Sequence, residues 1–136
     1  MTIKITFLGT STAVPTAERN HSSIFLNYKE ENILIDCGEG TQRQFRIAKI
    51  NPNKLTRILI THWHGDHVLG LPGLFQTLAL NDYKKTLYIY GPKGTKKYVS
   101  ELFRVFVPVK KIKTEVKEAS GKFLETKDLE ISALSL

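Results

Sequence analysis

The 136-residue sequence has few cysteines, no long hydrophobic run and a shortage of acidic charge. The single cysteine, Cys37, excludes a disulfide within the chain and agrees with a reducing compartment, and we expect it to be a small buried residue. Gly, Thr, Lys or His interrupts the longest apolar runs, so none of them is long enough to span a membrane. The first residues, MTIKITFLGTSTAVP, alternate like a strand and do not have the pattern of a signal peptide. We therefore expect a cytoplasmic protein without a membrane partner.

Basic residues outnumber acidic ones, with 20 Lys and Arg against 13 Asp and Glu and a formal net charge of +7. Much of this excess lies in the second half of the chain, at Lys84, Lys85, Lys93, Lys96, Lys97, Arg104, Lys110, Lys111 and Lys113. A basic surface concentrates polyanions, which makes nucleic acid a reasonable partner. Lysine enrichment also gives a solubilising surface and is common in heat-adapted proteins. Charge alone leaves both interpretations open.

The spacing of apolar residues predicts mixed α/β layers, because strands come first and then alternate with helices. The predicted strands are residues 3–8, 23–29, 32–36, 57–61 and 86–91, with two more within 112–119 and 128–136 around a turn at Ser120 and Gly121. The predicted helices are residues 41–50, 73–80 and 95–106. No repeat, linker or low-complexity tract indicates an internal domain boundary.

The last predicted strand, DLEISALSL, runs to Leu136 without a turn or a polar tail. Complete domains more often end in a short solvated segment, although an edge strand can also end a domain. We interpret this ending as an indication that the chain is a piece of something longer.

The stretch LITHWHGDHVLGLPGL contains three of the four histidines and an aspartate within six positions. An apolar strand leads into it, and side chains two apart on an extended chain point the same way, so His62 and His64 can converge on one point. Gly65 is expected to let the backbone turn sharply, so that Asp66 and His67 face a second point. A chance cluster in a surface loop is the alternative, and the strand that leads directly into HxHxDH argues against it.

Imidazole and carboxylate ligands favour zinc over manganese or iron. Two metals about 3.5–4 Å apart can share a bridging hydroxide and stabilise both the attacking and the leaving oxygen of a phosphodiester. Because metal-bound water ionises near pH 7, such a site needs no strong side-chain base. The pattern therefore predicts a two-metal hydrolytic site.

THWHGDH resembles the signature of the metallo-β-lactamase fold, an αββα sandwich with a two-metal site at one edge of its sheets. That superfamily includes lactamases, glyoxalases, sulfatases, phosphodiesterases and nucleases, so the signature implies the fold and the metals but not the substrate. Four stretches are similar to the ribonuclease Z family, which trims the 3′ trailer from precursor tRNA: FLGTSTAVPTAERNHSS, ILIDCGEGTQRQF, HGDHVLGLPGL and YGPKG. The resemblance implies a homodimeric, zinc-dependent endoribonuclease that acts on precursor tRNA. This α/β chain would be roughly the N-terminal half of its fold.

By position, the resemblance makes His62 and His64 the ligands of one zinc, and Asp66 and His67 the ligands of the other. Asp66 would also position or deprotonate the attacking water, which makes it the catalytic candidate. Asp36 lies at the end of a predicted strand before CGEGTQ, where a carboxylate would hold the ligands in place. An aspartate that simply forms a turn is the alternative for Asp36.

The segment PTAERN matches the loop with which the family touches the acceptor end of tRNA, with Pro15, Arg19 and Asn20 in register. Arg19 offers a fork of donors to phosphate, and Asn20 can bond to a base or a sugar. The family usually has a lysine where this chain has Ala17, which weakens the assignment. His21 has no partner in the pattern and is interpreted as a surface or turn residue instead of a ligand.

The histidine cluster gives each metal two side chains, whereas a catalytic zinc usually has three together with water. The family supplies further ligands from later positions, in the order histidine, aspartate and histidine, but the last histidine of this chain is His67. Three functions stay open: a ribonuclease Z that continues past this chain, a non-catalytic metal- or RNA-binding domain, and another hydrolase such as a phosphodiesterase or arylsulfatase. The later ligands separate the first from the second, while PTAERN and a downstream arm separate the first from the third.

Overall fold

A computed structural model of the chain describes residues 2–106 and 110–135, and a six-stranded sheet is its central element. The strands are, in order across the sheet, β1 (Lys4–Gly9), β2 (Ser23–Tyr28), β3 (Glu31–Ile35), β4 (Arg57–Leu59), β5 (Leu87–Gly91) and β6 (Thr114–Glu118). Strands β1 to β3 form an antiparallel meander, and β3 to β6 are parallel. A separate antiparallel hairpin consists of β7 (Gly121–Glu125) and β8 (Glu130–Ala133).

Helices connect the parallel strands, as the long crossover between such strands requires. They are α1 (Thr41–Ile47), α2 (Gly65–Val68), α3 (Leu71–Leu80) and α4 (Thr95–Val105), with a short 3-10 helix at Pro52–Lys54. None of the helices within the described parts of the chain is long and apolar enough to cross a membrane.

One face of the sheet packs under the helices and forms the core. A row of register partners crosses all six strands on this face, namely Thr6, Phe25, Leu34, Ile58, Ile89 and Val116. Helix α1 adds Phe45, whose ring meets that of Phe25 edge-on at 5.7 Å between centroids. Helix α3 adds the fully buried Leu71, Leu74 and Leu78. Burial of these side chains supplies most of the force that holds the helices on the sheet.

The opposite face of the sheet, which we call the open face, has no helix layer among the described residues. Its central row of register partners is Phe7, Ile24, Ile35, Leu59 and Tyr90. At the β1 edge, Ile3, Ile5 and Phe7 are 57%, 55% and 66% exposed. The β7–β8 hairpin covers the other side, where Phe123 stacks on Tyr90 with 5.1 Å between ring centroids. The open face is therefore apolar and only partly covered.

The predicted strands and helices are found with small changes in their bounds, and three short elements were not predicted. Strand β4 ends at Leu59, two residues earlier than predicted, and strand β7, helix α2 and the 3-10 helix at Pro52–Lys54 are additional. The predicted turn by Gly121 joins β6 to β7, and position 136 of the last predicted strand lies outside the described residues. The backbone does turn at Gly65, which begins α2, and the His67 N–H donates to the His64 carbonyl at 3.0 Å, but Gly65 does not have the positive φ that would need glycine.

Candidate metal centre

The predicted metal ligands lie where β3 and β4 end side by side. Backbone bonds continue the parallel ladder past both strands, because the Asp36 N–H donates to the Leu59 carbonyl at 2.8 Å and the Ile60 N–H donates to the Tyr90 carbonyl at 2.7 Å. The carboxyl ends of adjacent parallel strands bring their following residues to one edge of the sheet. His62 and His67 meet there, with 4.1 Å between ring centroids.

Asp36 links the ends of the two strands through its carboxylate, which is buried. Its Oδ1 accepts the Thr61 N–H at 2.8 Å, and its Oδ2 accepts the Thr61 hydroxyl at 2.7 Å and the His67 Nδ1–H at 2.6 Å. With Nδ1–H donated to Asp36, the His67 Nε2 carries the lone pair that can bind a metal. This is the geometry that a carboxylate needs to hold a ligand histidine, and that role for Asp36 stays a prediction.

Thr61 orients the imidazole of His62 in a similar way. Because the Thr61 hydroxyl gives its proton to Asp36, it accepts the Nδ1–H of His62, which lies 3.1 Å away. The Nε2 of His62 is then also left as the metal-binding atom. Thr61 was not selected from the sequence, and its position directly before His62 was the available signal.

Two pairs of donor atoms have the separation that a shared ion requires. Ligand atoms bound to a tetrahedral zinc at 2.0–2.1 Å lie about 3.3 Å apart. The His62 Nε2 and the His64 Nδ1 are 3.1 Å apart, and the His67 Nε2 and an Asp66 carboxylate oxygen are 3.3 Å apart. The donor set and its spacing therefore fit one zinc at each pair.

Each pair provides only part of a coordination shell. Within residues 2–106 and 110–135, no three His, Cys, Asp or Glu side chains converge closely enough to hold an ion. A zinc at either pair would need further ligands, as the count of ligands in the sequence also indicated.

Cys37 lies beside the site, but its thiol does not contribute chemistry at neutral pH. The side chain is fully buried, as predicted, and burial raises the pKa of the thiol to about 12. Its backbone fastens the site instead, since the Cys37 N–H donates to the His67 carbonyl at 2.7 Å. Gly70 allows this close packing, because a Cβ there would lie 2.0 Å from the Gly38 carbonyl oxygen.

The predicted RNA-contacting residues lie in an exposed loop, residues 10–20, between β1 and β2. Pro15 and Arg19 are exposed, and the Arg19 N–H closes a tight turn by donating to the Thr16 hydroxyl at 2.9 Å. The Asn20 amide donates to the Glu39 carbonyl at 2.7 Å and so ties the loop to the segment before α1. The contacts of Pro15, Arg19 and Asn20 with RNA stay predictions.

His21 was predicted to be a surface or turn residue, and the surface position is wrong, since the residue is only 5% exposed although the chain bends there. The loop folds back so that the His21 Nε2 lies 3.2 Å from the Ala13 carbonyl oxygen, while no described residue hydrogen-bonds to its buried Nδ1. A Cβ at Gly9 or at Gly38 would come within 1.7 or 2.4 Å of His21 atoms. Two glycines therefore make room for this histidine, which no periodic pattern could indicate.

Comparison with known proteins places the chain in a family. It belongs to the family described as Anti-Pycsar protein Apyc1, which matches residues 3–107. It is also 55% identical over 92 residues to Ribonuclease Z from Methanothermobacter thermautotrophicus, an alignment that covers 68% of this chain and 30% of that relative. The chain thus spans about a third of the length of this relative, and the predicted resemblance to ribonuclease Z is confirmed.

Solved structures confirm the predicted α/β fold class. The short form of human tRNase Z superposes with a TM-score of 0.76 and 38% identity over 84% of this chain and 44% of that chain. The metallo-β-lactamase fold protein YhfI from Bacillus subtilis superposes with a TM-score of 0.74 over 97% of this chain and 53% of that chain. At 21% identity, the second likeness concerns the fold alone. The chain therefore has the architecture of the metallo-β-lactamase fold, of which it forms a part.

Proposed function

We propose that the protein is a zinc-dependent endoribonuclease that removes the 3′ trailer of precursor tRNA, and that residues 1–136 form the N-terminal portion of its single catalytic domain. The observation that carries the proposal is the two donor pairs, His62 with His64 and Asp66 with His67, at zinc-ligand spacing. The identity to a relative named Ribonuclease Z selects the substrate class from among those that the fold serves. A cytoplasmic location and a homodimer belong to the same proposal, through the resemblance to that family.

The residues of this chain would orient the ligands and handle a proton. Zinc at such a site supplies positive charge for the developing oxyanion and ionises water near neutral pH. Asp36 keeps the His67 Nε2 directed at the site, and through Thr61 it does the same for His62. The Asp66 carboxylate lies beside His67, where it can orient the attacking water and accept its proton.

The loop of residues 10–20 would contact the acceptor end of the tRNA. The exposed Arg19 guanidinium suits a phosphate, and the exposed Pro15 gives the loop a rigid position near its middle. Asn20 would help by holding the loop, since its amide is bonded to the Glu39 carbonyl. Basic residues after position 83 would add attraction that is not specific for sequence.

The test is a cleavage assay on the protein in its full encoded length, loaded with zinc and given a precursor tRNA that carries a trailer. We expect one cut after the discriminator nucleotide, which leaves a 3′-hydroxyl on the tRNA and a 5′-phosphate on the trailer. Asp66→Asn should abolish the cut without loss of fold.

Two other outcomes would assign a different function. An intact trailer together with hydrolysis of a small phosphodiester or an aryl sulfate would identify another hydrolase of this fold. Binding of RNA or metal without hydrolysis of any of these substrates would identify a non-catalytic domain. A reading frame that continues into histidine, aspartate and histidine would support the proposal before any assay.

A further inference from the structure

We infer that Trp63 and Thr95 position the imidazoles of His62 and His64, a role that rests on the metal site proposed above. Trp63 lies between these two histidines in sequence, and the proposed chemistry does not use it. The first turn of α4 then belongs to the support of the metal centre.

His64 is the least supported of the four proposed ligands. Asp36 and Thr61 orient His67 and His62, but within the described residues the only side chain that hydrogen-bonds to the His64 ring is His62. His64 is also exposed, so packing does not fix its position. The backbone that carries it therefore needs another anchor if the 3.1 Å separation of the donor atoms is to persist.

Trp63 provides this anchor. Its half-buried indole packs against the core, and the Nε1–H donates to the Thr95 hydroxyl at 2.8 Å. The indole also stacks on Tyr98, with 5.2 Å between ring centroids. Along an extended chain, successive side chains point to opposite sides. When Trp63 is fixed on one side, His62 and His64 are therefore directed to the other side.

Thr95 is itself rigidly held at the start of α4. It is fully buried, and its hydroxyl donates to the Pro92 carbonyl at 2.7 Å, which leaves the oxygen to accept the indole N–H. A Cβ at Gly91 would lie 2.4 Å from this oxygen, so the glycine makes room for the hydroxyl. The adjacent Gly94 N–H donates to Glu118 of β6 at 2.9 Å. The indole is therefore fastened to a unit made of β5, α4 and β6.

The test compares Thr95→Val, which removes the hydroxyl at nearly constant volume, with Thr95→Ser, which keeps it. In the protein at its full encoded length, Thr95→Val should weaken Zn²⁺ binding about tenfold in competition with a chromophoric chelator, as loss of ligand support does. It should also change the visible spectrum of bound Co²⁺, because the geometry of the His64 ligand is relaxed. Thr95→Ser should have the Zn²⁺ affinity and the Co²⁺ spectrum of the wild type.

Unchanged Zn²⁺ affinity and an unchanged Co²⁺ spectrum in a folded Thr95→Val variant would overturn the inference. If that variant does not fold, Trp63→Phe replaces it, since phenylalanine keeps the stacking on Tyr98 and lacks the N–H. Neither readout uses RNA, so the outcome is separate from that of the proposed function. Zinc binding that depends on Thr95 in a protein that leaves precursor tRNA intact would keep the inference and remove the proposed substrate.

Discussion

Asp36 is the residue on which the geometry of the candidate site most depends. Its backbone has a φ of +58°, in the left-handed region that costs a non-glycine residue about 1 kcal/mol or more. Such a conformation persists only where several contacts enforce it, and here Thr61 and His67 both bond to the carboxylate. The strained backbone and the buried carboxylate therefore serve one purpose, which is to hold two strand ends together.

Asp36→Asn tests this residue, because asparagine tolerates the left-handed region nearly as well as aspartate. The amide has one acceptor oxygen where the carboxylate has two. If that oxygen replaces Oδ2 between the Thr61 hydroxyl and His67, the NH2 group faces the Thr61 N–H, which loses its acceptor. We expect Zn²⁺ affinity of the full-length protein to fall about tenfold to a hundredfold, measured by chelator competition. Circular dichroism serves as the control for folding, and unchanged affinity would contradict the role of Asp36.

Arg19→Ala tests the proposed RNA contact. The side chain is exposed, so the free energy of unfolding should change by no more than about 0.5 kcal/mol. Loss of a charged hydrogen bond to phosphate should lower kcat/KM for precursor tRNA about tenfold and reduce the salt dependence of binding. Lys54→Ala, which removes an exposed positive charge from the 3-10 helix, is the matched control. Equal effects of the two substitutions would mean that Arg19 contributes only nonspecific electrostatic attraction for RNA.

At the scale of elements, an ion pair on the open face fastens β3 to β4. Glu31 accepts two hydrogen bonds from the Arg57 guanidinium, both at 3.0 Å, and one from the Thr56 hydroxyl at 2.8 Å. Burial by itself would raise the pKa of Glu31, but these hydrogen bonds outweigh it and lower the pKa below its usual 4.5. The ionised form is therefore the one that the folded state favours.

This direction of the pKa shift predicts how stability depends on pH. Stability from Glu31 is fully present above its unfolded pKa, near 4.5, and is lost as the pH falls through the lower folded value. We expect Glu31→Gln to lower the free energy of unfolding by about 1–2 kcal/mol at pH 7, as measured with urea. The difference between wild type and variant should shrink below pH 4.5, and a difference that is constant with pH would refute the ion pair's contribution.

Most elements were predictable because their apolar spacing is regular, and the exceptions have physical reasons. Strand β7, with the sequence GKFLE, has few apolar residues and, among the described strands, pairs only with β8, so its pattern resembles a loop. Helix α2 has four residues, too few for a helical period. The four proposed ligands were found because they are adjacent in sequence. Asp36 was also selected from the sequence, but Thr61 and Trp63 escaped detection, since Thr61 bonds to a residue 25 positions away and Trp63 to one 32 positions away.

At the scale of the whole molecule, the open face predicts self-association of the 136-residue chain in isolation. Exposed apolar patches of this kind drive contacts between molecules, and the β1 edge also presents unpaired backbone groups. We expect Phe7→Lys to shift the isolated chain toward the monomer in sedimentation experiments. Leu80→Lys removes a similarly exposed apolar residue from α3 and should have little effect. A monomeric wild-type chain, or equal effects of both substitutions, would contradict this prediction.

The isolated chain should also bind zinc poorly and cleave no tRNA. Each donor pair leaves about half of a coordination shell to water, and no described carboxylate bridges the pairs to offset repulsion between two dications. Elemental analysis after dialysis should find well under one zinc per chain. Two tightly held zincs per monomeric chain, with removal of a trailer, would show that these residues suffice.

The loop of residues 10–20 is also the only covalent connection between the edge strand β1 and the rest of the sheet. Arg19 is its single basic residue, so trypsin should cut this exposed loop at one bond. After the cut, β1 would stay in place through noncovalent contacts alone. These include its pairing with β2, the bond from the Gln44 amide to the Leu8 carbonyl at 2.6 Å, the bond from the Ser11 N–H to the Asn20 carbonyl at 2.8 Å and the burial of the Leu8 side chain. The rate at which a nicked molecule releases residues 1–19 therefore measures how firmly noncovalent contacts alone retain the edge of the sheet.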